Sequence, residues 1–290
     1  MVAIAIKASV IVPVYNNPEG IRVLIEALLA QSYPSRHFEI IVVDNNSTDD
    51  TADVVRSITS RNRDRIRLVM ESTIQSSYAA RDRGIEESSG EFLAFIDSDC
   101  TPAAFWLESG IAALENDAVA CGGGKVEFTY QSDRPNAVEY LDSARKLDQR
   151  HYVEDLGFAA TANFFARRDL FAQHGTFRAD VISGGDFEFG RRVTSQGENM
   201  VYIDDAIVTH PARATVRELL KKSKRVAVGQ KQLGRLGLAE QVGPSWKQLV
   251  PARSWPDDGN WSRSLTITDK AKILALQTVV RWFNFWTRVR

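Results

Sequence analysis

The sequence predicts an α/β fold: a mainly parallel sheet flanked by helices, followed by a basic helical extension. Three observations predict it. Apolar runs too short to be helices recur through the first third of the chain, stretches of helical periodicity separate them, and each run closes on polar or acidic residues. Ligands of such sheets bind beyond the carboxyl ends of the strands.

Ala8-Ser9-Val10-Ile11-Val12-Pro13-Val14 is a nearly continuous apolar run, as expected of a strand buried on both faces. Tyr15-Asn16-Asn17-Pro18-Glu19-Gly20 reads as a turn, and residues 21–31 carry helical periodicity. The unit then repeats. Phe38-Glu39-Ile40-Ile41-Val42-Val43 is a second strand ending at Asp44, and Asn45 to Thr51 are polar residues able to cap a helix that runs to about residue 59. Arg67-Leu68-Val69-Met70 gives a third strand, residues 74–87 a helix, and Phe92-Leu93-Ala94-Phe95-Ile96 a fourth strand ending at Asp97. Beyond Asp99 a helix over 105–115 leads to a strand at Ala118-Val119-Ala120-Cys121. Gly122-Gly123-Gly124 reads as a flexible turn into Lys125-Val126-Glu127-Phe128. A polar helix is expected over 137–153, an irregular strand over 158–166, a helix over 187–196, and two short strands at Val201-Tyr202-Ile203 and Ala206-Ile207-Val208.

A chain of 290 residues with 44% hydrophobic and 25% charged residues has ordinary globular composition, which excludes disorder and fibrous classes. The apolar start is interrupted by Lys7 and lacks a cleavage-site pattern, so no signal peptide is expected. Cys100 and Cys121 are too few for a disulfide framework or a zinc cluster. They read as buried thiols of a protein of the reducing cytoplasm.

The net charge of −1 hides a division. Residues 211–290 hold 16 Lys/Arg against 5 Asp/Glu, a balance of +11, which leaves −12 for the rest. A basic tail suits an anionic partner, either a phospholipid surface or a phosphorylated acceptor; a merely solvated helix face is the plainer account. No nucleic-acid partner is expected. Residues 213–235 form a basic helical segment, a loop with Trp246, Trp255 and Trp261 follows as a candidate lid, and a last helix covers 268–289. Lys272 and Arg281 would each cost about 3 kcal/mol at a bilayer centre, so that helix is no span, though it suits a membrane interface or packing onto the protein. Peripheral contact with the inner face of the cytoplasmic membrane is therefore expected through 213–235 and 268–290.

The chemistry concentrates at the strand ends. Asp97-Ser98-Asp99 puts two carboxylates where a strand opens into a loop, and hard oxygen ligands in an open site suit Mn²⁺ or Mg²⁺ shared with substrate phosphates. Asp44 can accept hydrogen bonds from a nucleobase or ribose. Pro13, Tyr15 and Asn16 line the first loop, with Tyr15 able to stack on a base. The triple glycine has neither the Lys-Ser/Thr nor the strand-to-helix context of a nucleotide loop and is expected to let backbone approach a bound substrate.

Taken together, Ser9-Val10-Ile11-Val12-Pro13-Val14-Tyr15-Asn16, Val42-Val43-Asp44-Asn45-Asn46-Ser47-Thr48-Asp49, Ala80-Arg81-Asp82-Arg83-Gly84-Ile85 and Ile96-Asp97-Ser98-Asp99 resemble the family 2 glycosyltransferases with the GT-A fold. The resemblance continues through Ala162-Asn163-Phe164-Phe165-Ala166-Arg167-Arg168 and Gly184-Gly185-Asp186-Phe187-Glu188 to His210-Pro211, covering about residues 8–211. It implies a catalytic domain over 1–211, with a nucleotide-sugar half over about 1–100, an acceptor half over 101–211, and an extension over 212–290.

It also implies inverting transfer of a sugar from a nucleotide diphosphate sugar to a lipid-linked, polysaccharide or other glycan acceptor. Direct displacement needs a carboxylate to take the acceptor's proton. Asp186 matches the family's base, with Glu188 second and a plain helix cap as the alternative role; many relatives have Glu-Asp where this chain has Gly185-Asp186. Asp99 would bind the metal directly. Asp97 would act on it through water or on the ribose, with Ser98 between them at the nucleotide sugar. His210 resembles a third metal ligand, or is a buried structural residue. Asp44 implies a uracil base and hence a UDP-sugar, and Arg81 resembles a residue approaching the base or pyrophosphate, or forms a surface salt bridge. The alternative functions are a catalytically silent sugar-nucleotide-binding module and a nucleotidyltransferase of similar fold.

Overall fold

The computed structural model describes residues 6–144, 147–240, 243, 245–256, 261 and 264–289. Two compact units emerge: one of Met1–Glu127, Asp148–Asp180 and Gly185–His210, the other of Phe128–Leu147, Val181–Gly184 and Pro211–Arg290.

The first contains the body of an eight-stranded sheet. Its parallel part is β1 (Ala8–Val14), β2 (Phe38–Asp44), β3 (Ile66–Met70) and β4 (Phe92–Ile96), in the order β3-β2-β1-β4. Every residue of β1, β2 and β4 is buried, which explains why these strands read as continuous apolar runs. Alternate residues face opposite layers. Val10, Val12, Ile40 and Val42 share a core with Ile21, Leu24, Ile25 and Leu28 of α1 (Pro18–Leu29), whereas Ile41 and Val43 meet Ala80 of α3 (Ser77–Glu87). α2 (Thr51–Thr59) follows β2 and adds Val55 to the first of these cores. A Cβ at Gly84 would collide with the Ile11 side chain, so glycine lets α3 lie close on β1.

The sheet continues as β7 (Asn163–Arg167), β6 (Cys121–Thr129), β8 (Met200–Pro211) and β5 (Thr101–Pro102). β7 runs antiparallel to β4 and β6, and β5 runs antiparallel to β8. α4 (Trp106–Leu114) precedes β6, and α7 (Arg168–His174) and α8 (Gly185–Ser195) follow β7.

Three expectations need correction here. The triple glycine is not a turn: Gly122, Gly123 and Gly124 lie buried inside β6, where a Cβ would meet the Val201 carbonyl, the Ala159 methyl and the Asn163 side chain respectively. They permit close approach of neighbouring protein groups. The two short strands before His210 are one strand, β8. The helix expected over 137–153 is two, α5 (Ala137–Ser143) and α6 (Gln149–Glu154), because Asp148 caps the second through the His151 N–H; residues 145 and 146 lie outside the described residues.

Asn163 ties this half together. Its Oδ1 accepts Trp106 Nε1–H at 2.8 Å, and its Nδ2 donates to the Lys125 and Ala206 carbonyls at 2.9 and 2.8 Å. Asn163→Ala would leave these groups unpaired in the core. We expect a loss of about 3 to 5 kcal/mol, read as a fall of about 10 °C in Tm; a fall of about 2 °C or less would show that the partners re-pair.

In the second unit, α9 (Val216–Arg235) and α10 (Ile267–Val289) pack with α5 through Val138, Leu141, Leu219 and Val280. Asp142 is buried there, accepting from Lys222 at 2.8 Å and Arg213 at 3.1 Å. Among the expected lid residues, Trp255 lies under Lys270 Nζ and Trp261 meets Tyr130 edge-on. Residues 241, 242, 244, 257–260, 262 and 263 of that loop lie outside the described residues, as do residues 1–5 and Arg290. Among the described residues, no helix is long and apolar enough to cross a membrane.

Candidate active site

The parallel strands end level on one edge, Val14 opposite Asp44 and Asp44 opposite Met70, so the loops beyond them meet. Asn16 and Asn46 take left-handed backbone conformations, φ 48° and 64°, which asparagine tolerates. The Asn16 N–H donates to Ser47 Oγ at 3.0 Å, and its Oδ1 accepts the Thr48 N–H at 2.8 Å. Tyr15 stands half exposed beside this lacing, while Pro13 is buried within β1 opposite Val43. Asp44 is fully buried. Its Oδ1 accepts the Ser47 N–H at 2.8 Å, and its Oδ2 has no hydrogen-bond partner among the described residues.

Asp97-Ser98-Asp99-Cys100 leaves the end of β4 and enters β5. Asn17 Nδ2 steadies it, donating to the carbonyl and hydroxyl of Ser98 at 3.2 Å each. The β5–β8 register pairs Thr101 with Thr209, which carries Asp99 and Cys100 towards His210 on the next strand. His210 Nε2 lies 3.6 Å from Asp99 Oδ2, and Cys100 Sγ 4.0 Å from Asp99 Oδ1. One ligand atom from each of the three falls within 4.8 Å of the others; His210 and Cys100 are buried and Asp99 is exposed. A carboxylate, an imidazole and a thiol at this spacing fit one divalent cation.

Asp97 is engaged differently. Its Oδ1 pairs with Arg81 Nη2 at 2.5 Å, and Arg81 is 3% exposed. The ion pair joins α3 to the end of β4; Arg81 lies beneath the surface while the Asp97 carboxylate stays partly exposed towards the site. The Arg81 guanidinium lies 5.5 Å from the Tyr78 ring centre, and Tyr78 Oη donates to Asp186 Oδ1 at 3.2 Å.

Asp186 sits in the first turn of α8, where its Oδ1 also accepts the Phe187 N–H at 3.0 Å. Burial pushes its carboxyl above the usual range, opposed by the Arg81 charge and by the hydrogen bonds from Phe187 and Tyr78. Burial also raises the Tyr78 hydroxyl's pKa, so it stays protonated as the donor. Glu188 is committed to Arg192 by a two-point ion pair, 2.9 and 3.0 Å, which leaves Asp186 the better placed carboxylate.

With this geometry in place, comparison with known proteins is decisive. The sequence matches Glycosyl transferase family 2 over residues 9–175. The chain belongs to that family. It is 40% identical over 228 residues to glycosyltransferase AglE of Haloferax volcanii, covering 79% of this chain and 74% of that one. It is 22% identical over 230 residues to a dolichyl N-acetyl-α-D-glucosaminyl phosphate 3-β-D-2,3-diacetamido-2,3-dideoxy-β-D-glucuronosyltransferase of Methanococcus voltae, covering 74% and 70%. Its fold is that of the mannosyltransferase PcManGT of Pyrobaculum calidifontis, solved with GDP-Man and Mn²⁺: TM-score 0.63, 17% identity, 99% of this chain and 74% of that one.

The glycosyltransferase's Gly185 acquires a local reason. A Cβ there would stand 2.9 Å from the Tyr78 ring, so the glycine makes room for the residue that holds Asp186. Tyr78, Asn17 and Cys100 are the site residues that sequence reasoning missed. Cys100 had a signal, its position next to Asp99; Asn17 had another, its place before the proline that opens α1.

A thiol among the ligands would favour softer cations. Cys100→Ser is expected to weaken Cd²⁺ binding by about tenfold or more while changing Mn²⁺ binding by less than about threefold, both read from metal-dependent thermal shifts. Equal losses for the two ions would remove the thiol from the ligand set.

Proposed function

We propose that this glycosyltransferase is a metal-dependent inverting enzyme that moves a sugar from a nucleotide diphosphate sugar to a hydroxyl of a lipid-linked or other glycan acceptor. One observation carries the reading: Asp99 and His210 converge at a spacing that suits a cation, while Asp186, tied through Tyr78 and Arg81 to Asp97 of the same motif, is a partly desolvated carboxylate with a raised affinity for protons.

The roles follow from the chemistry. Asp99 and His210, with Cys100 beside them, hold Mn²⁺ or Mg²⁺; bound there, the ion would neutralise charge on the departing diphosphate. Asp97 acts on the ribose or through water on the metal, and its pairing with Arg81 holds it in one orientation. Asp186 takes the acceptor hydroxyl's proton as that oxygen attacks. Tyr15 stacks on the base, and Asn16 and Ser98 shape the loops around the nucleotide sugar.

A UDP-sugar is the donor we favour. Asp44 has one oxygen already occupied by the Ser47 N–H and one without a partner, and a single acceptor matches the single ring N–H of uracil better than the adjacent donors of guanine. Because that oxygen is buried, base binding requires it to be uncovered locally. The lipid-linked acceptor is supported by the dolichyl N-acetyl-α-D-glucosaminyl phosphate in the Methanococcus voltae relative's name and by the basic balance of residues 211–290.

A thermal-shift panel of UDP-, GDP- and TDP-sugars, each with and without Mn²⁺, tests this reading, since a ligand of the native state raises its stability by mass action. The expected result is a Mn²⁺-dependent rise with one UDP-sugar. A rise only with GDP-sugars would overturn the Asp44 argument, and no rise with any donor would favour a chain that no longer uses sugar nucleotides.

A further inference from the structure

α10 has two apolar faces. Ile273 and Val280 are buried, the latter in the core of the second unit, as expected of a packed amphipathic helix. The outward face should then be charged. Instead Ala271, Ala275, Val279, Trp282, Trp286 and Val289 form one exposed stripe, each three or four residues after the last. Trp286 is 58% exposed, and Val289, Val279 and Trp282 are 50%, 45% and 42% exposed. Such a seam on a monomer marks something that covers it.

The charge around the stripe selects the occupant. From Lys270 to the end of the chain there is no acidic residue, while Lys272 is exposed and Arg281 and Arg288 are partly exposed alongside the stripe. α9, in the same unit, exposes Arg217, Lys221, Lys224, Arg225 and Arg235, against Glu218 as its one acid. A second copy docked stripe to stripe would set these like charges against each other. An anionic lipid surface satisfies both features: tryptophan rings settle at the headgroup level and basic side chains meet acidic lipids. Trp282 suits this arrangement, since its Nε1–H is already bonded to the Leu249 carbonyl at 2.9 Å and its exposed ring surface has no other polar demand.

We infer that α10 lies against an anionic lipid bilayer through the Val279, Trp282, Trp286, Val289 face, with the basic side chains of α9 and α10 adding electrostatic attraction. This docking is independent of the donor and of the chemistry.

Flotation of the full chain with vesicles tests it, using phosphatidylcholine alone and phosphatidylcholine with about 30% phosphatidylglycerol. The expected result is binding to the anionic vesicles, with a blue-shifted tryptophan emission, falling about tenfold or more as salt rises from about 50 to about 300 mM. Val279→Ser with Trp286→Ser is expected to reduce binding about 30-fold at an unchanged melting temperature, and Trp286→Phe to retain most of it. Three results would overturn the inference: no binding to anionic vesicles, undiminished binding by the folded double variant, or a dimer in sedimentation that the double variant abolishes. The last would make the stripe an interface between copies of the chain.

Discussion

Asp186→Asn is expected to reduce sugar transfer by about 10³-fold while leaving binding of the nucleotide sugar within about threefold of the unaltered protein. The substitution keeps the shape and the hydrogen bonds, because an amide oxygen can still accept from Tyr78 Oη and the Phe187 N–H. What it removes is the ability to take a proton. A structural cap at this position would predict the reverse pattern, with stability lost and turnover spared. The pH profile adds a second readout. A base works deprotonated, so the rate rises with pH through its pKa, and burial of Asp186 places that rising limb above the ordinary carboxylate range of about 4. The Tyr78 hydroxyl favours the ionised form. Tyr78→Phe therefore raises the pKa further and moves the limb to higher pH, and a limb that stays in place would separate Tyr78 from the base.

The second large effect concerns the cation. Excess EDTA is expected to abolish turnover and added Mn²⁺ to restore it, because a diphosphate leaves poorly with its charge unneutralised. Asp99→Asn and His210→Ala should each raise the Mn²⁺ concentration for half-maximal rate by about tenfold or more, at a melting temperature without metal that stays near that of the unaltered chain. Arg81→Ala should behave differently. It leaves the Asp97 carboxylate without its buried partner, so stability and turnover fall together. Full activity in excess EDTA would remove the cation from the account.

How much of this was legible in the sequence depends on the range of the interaction. β1, β2 and β4 were legible because strands covered on both faces leave unbroken apolar runs, and Asp44 and Asp97 were legible as the polar residues that close them. α9 and α10 were legible from helical spacing. The triple glycine misled because a glycine needed for close approach of neighbouring groups looks, in sequence, like one needed for a turn. The second helix start at Asp148 was hidden within a polar stretch that reads equally as continuous helix. The residues that tune the site were the least legible. Tyr78 meets Asp186 across 108 residues, and no local pattern announces that contact. Cys100 joins Asp99 and His210 only because β5 and β8 pair in one register and not in another. Local composition thus set the frame, and sheet register together with long-range packing set the site.

Single displacement with Asp186 as base is tested by the anomeric configuration of the sugar released from an α-linked nucleotide sugar. Without acceptor, water takes the acceptor's place, and proton NMR on the early time points reports the first anomer formed before it equilibrates. The expected product is the β anomer, formed in the presence of Mn²⁺ and not by Asp186→Asn. An α anomer would contradict it, since retention requires either a second displacement or attack from the face the leaving group occupied.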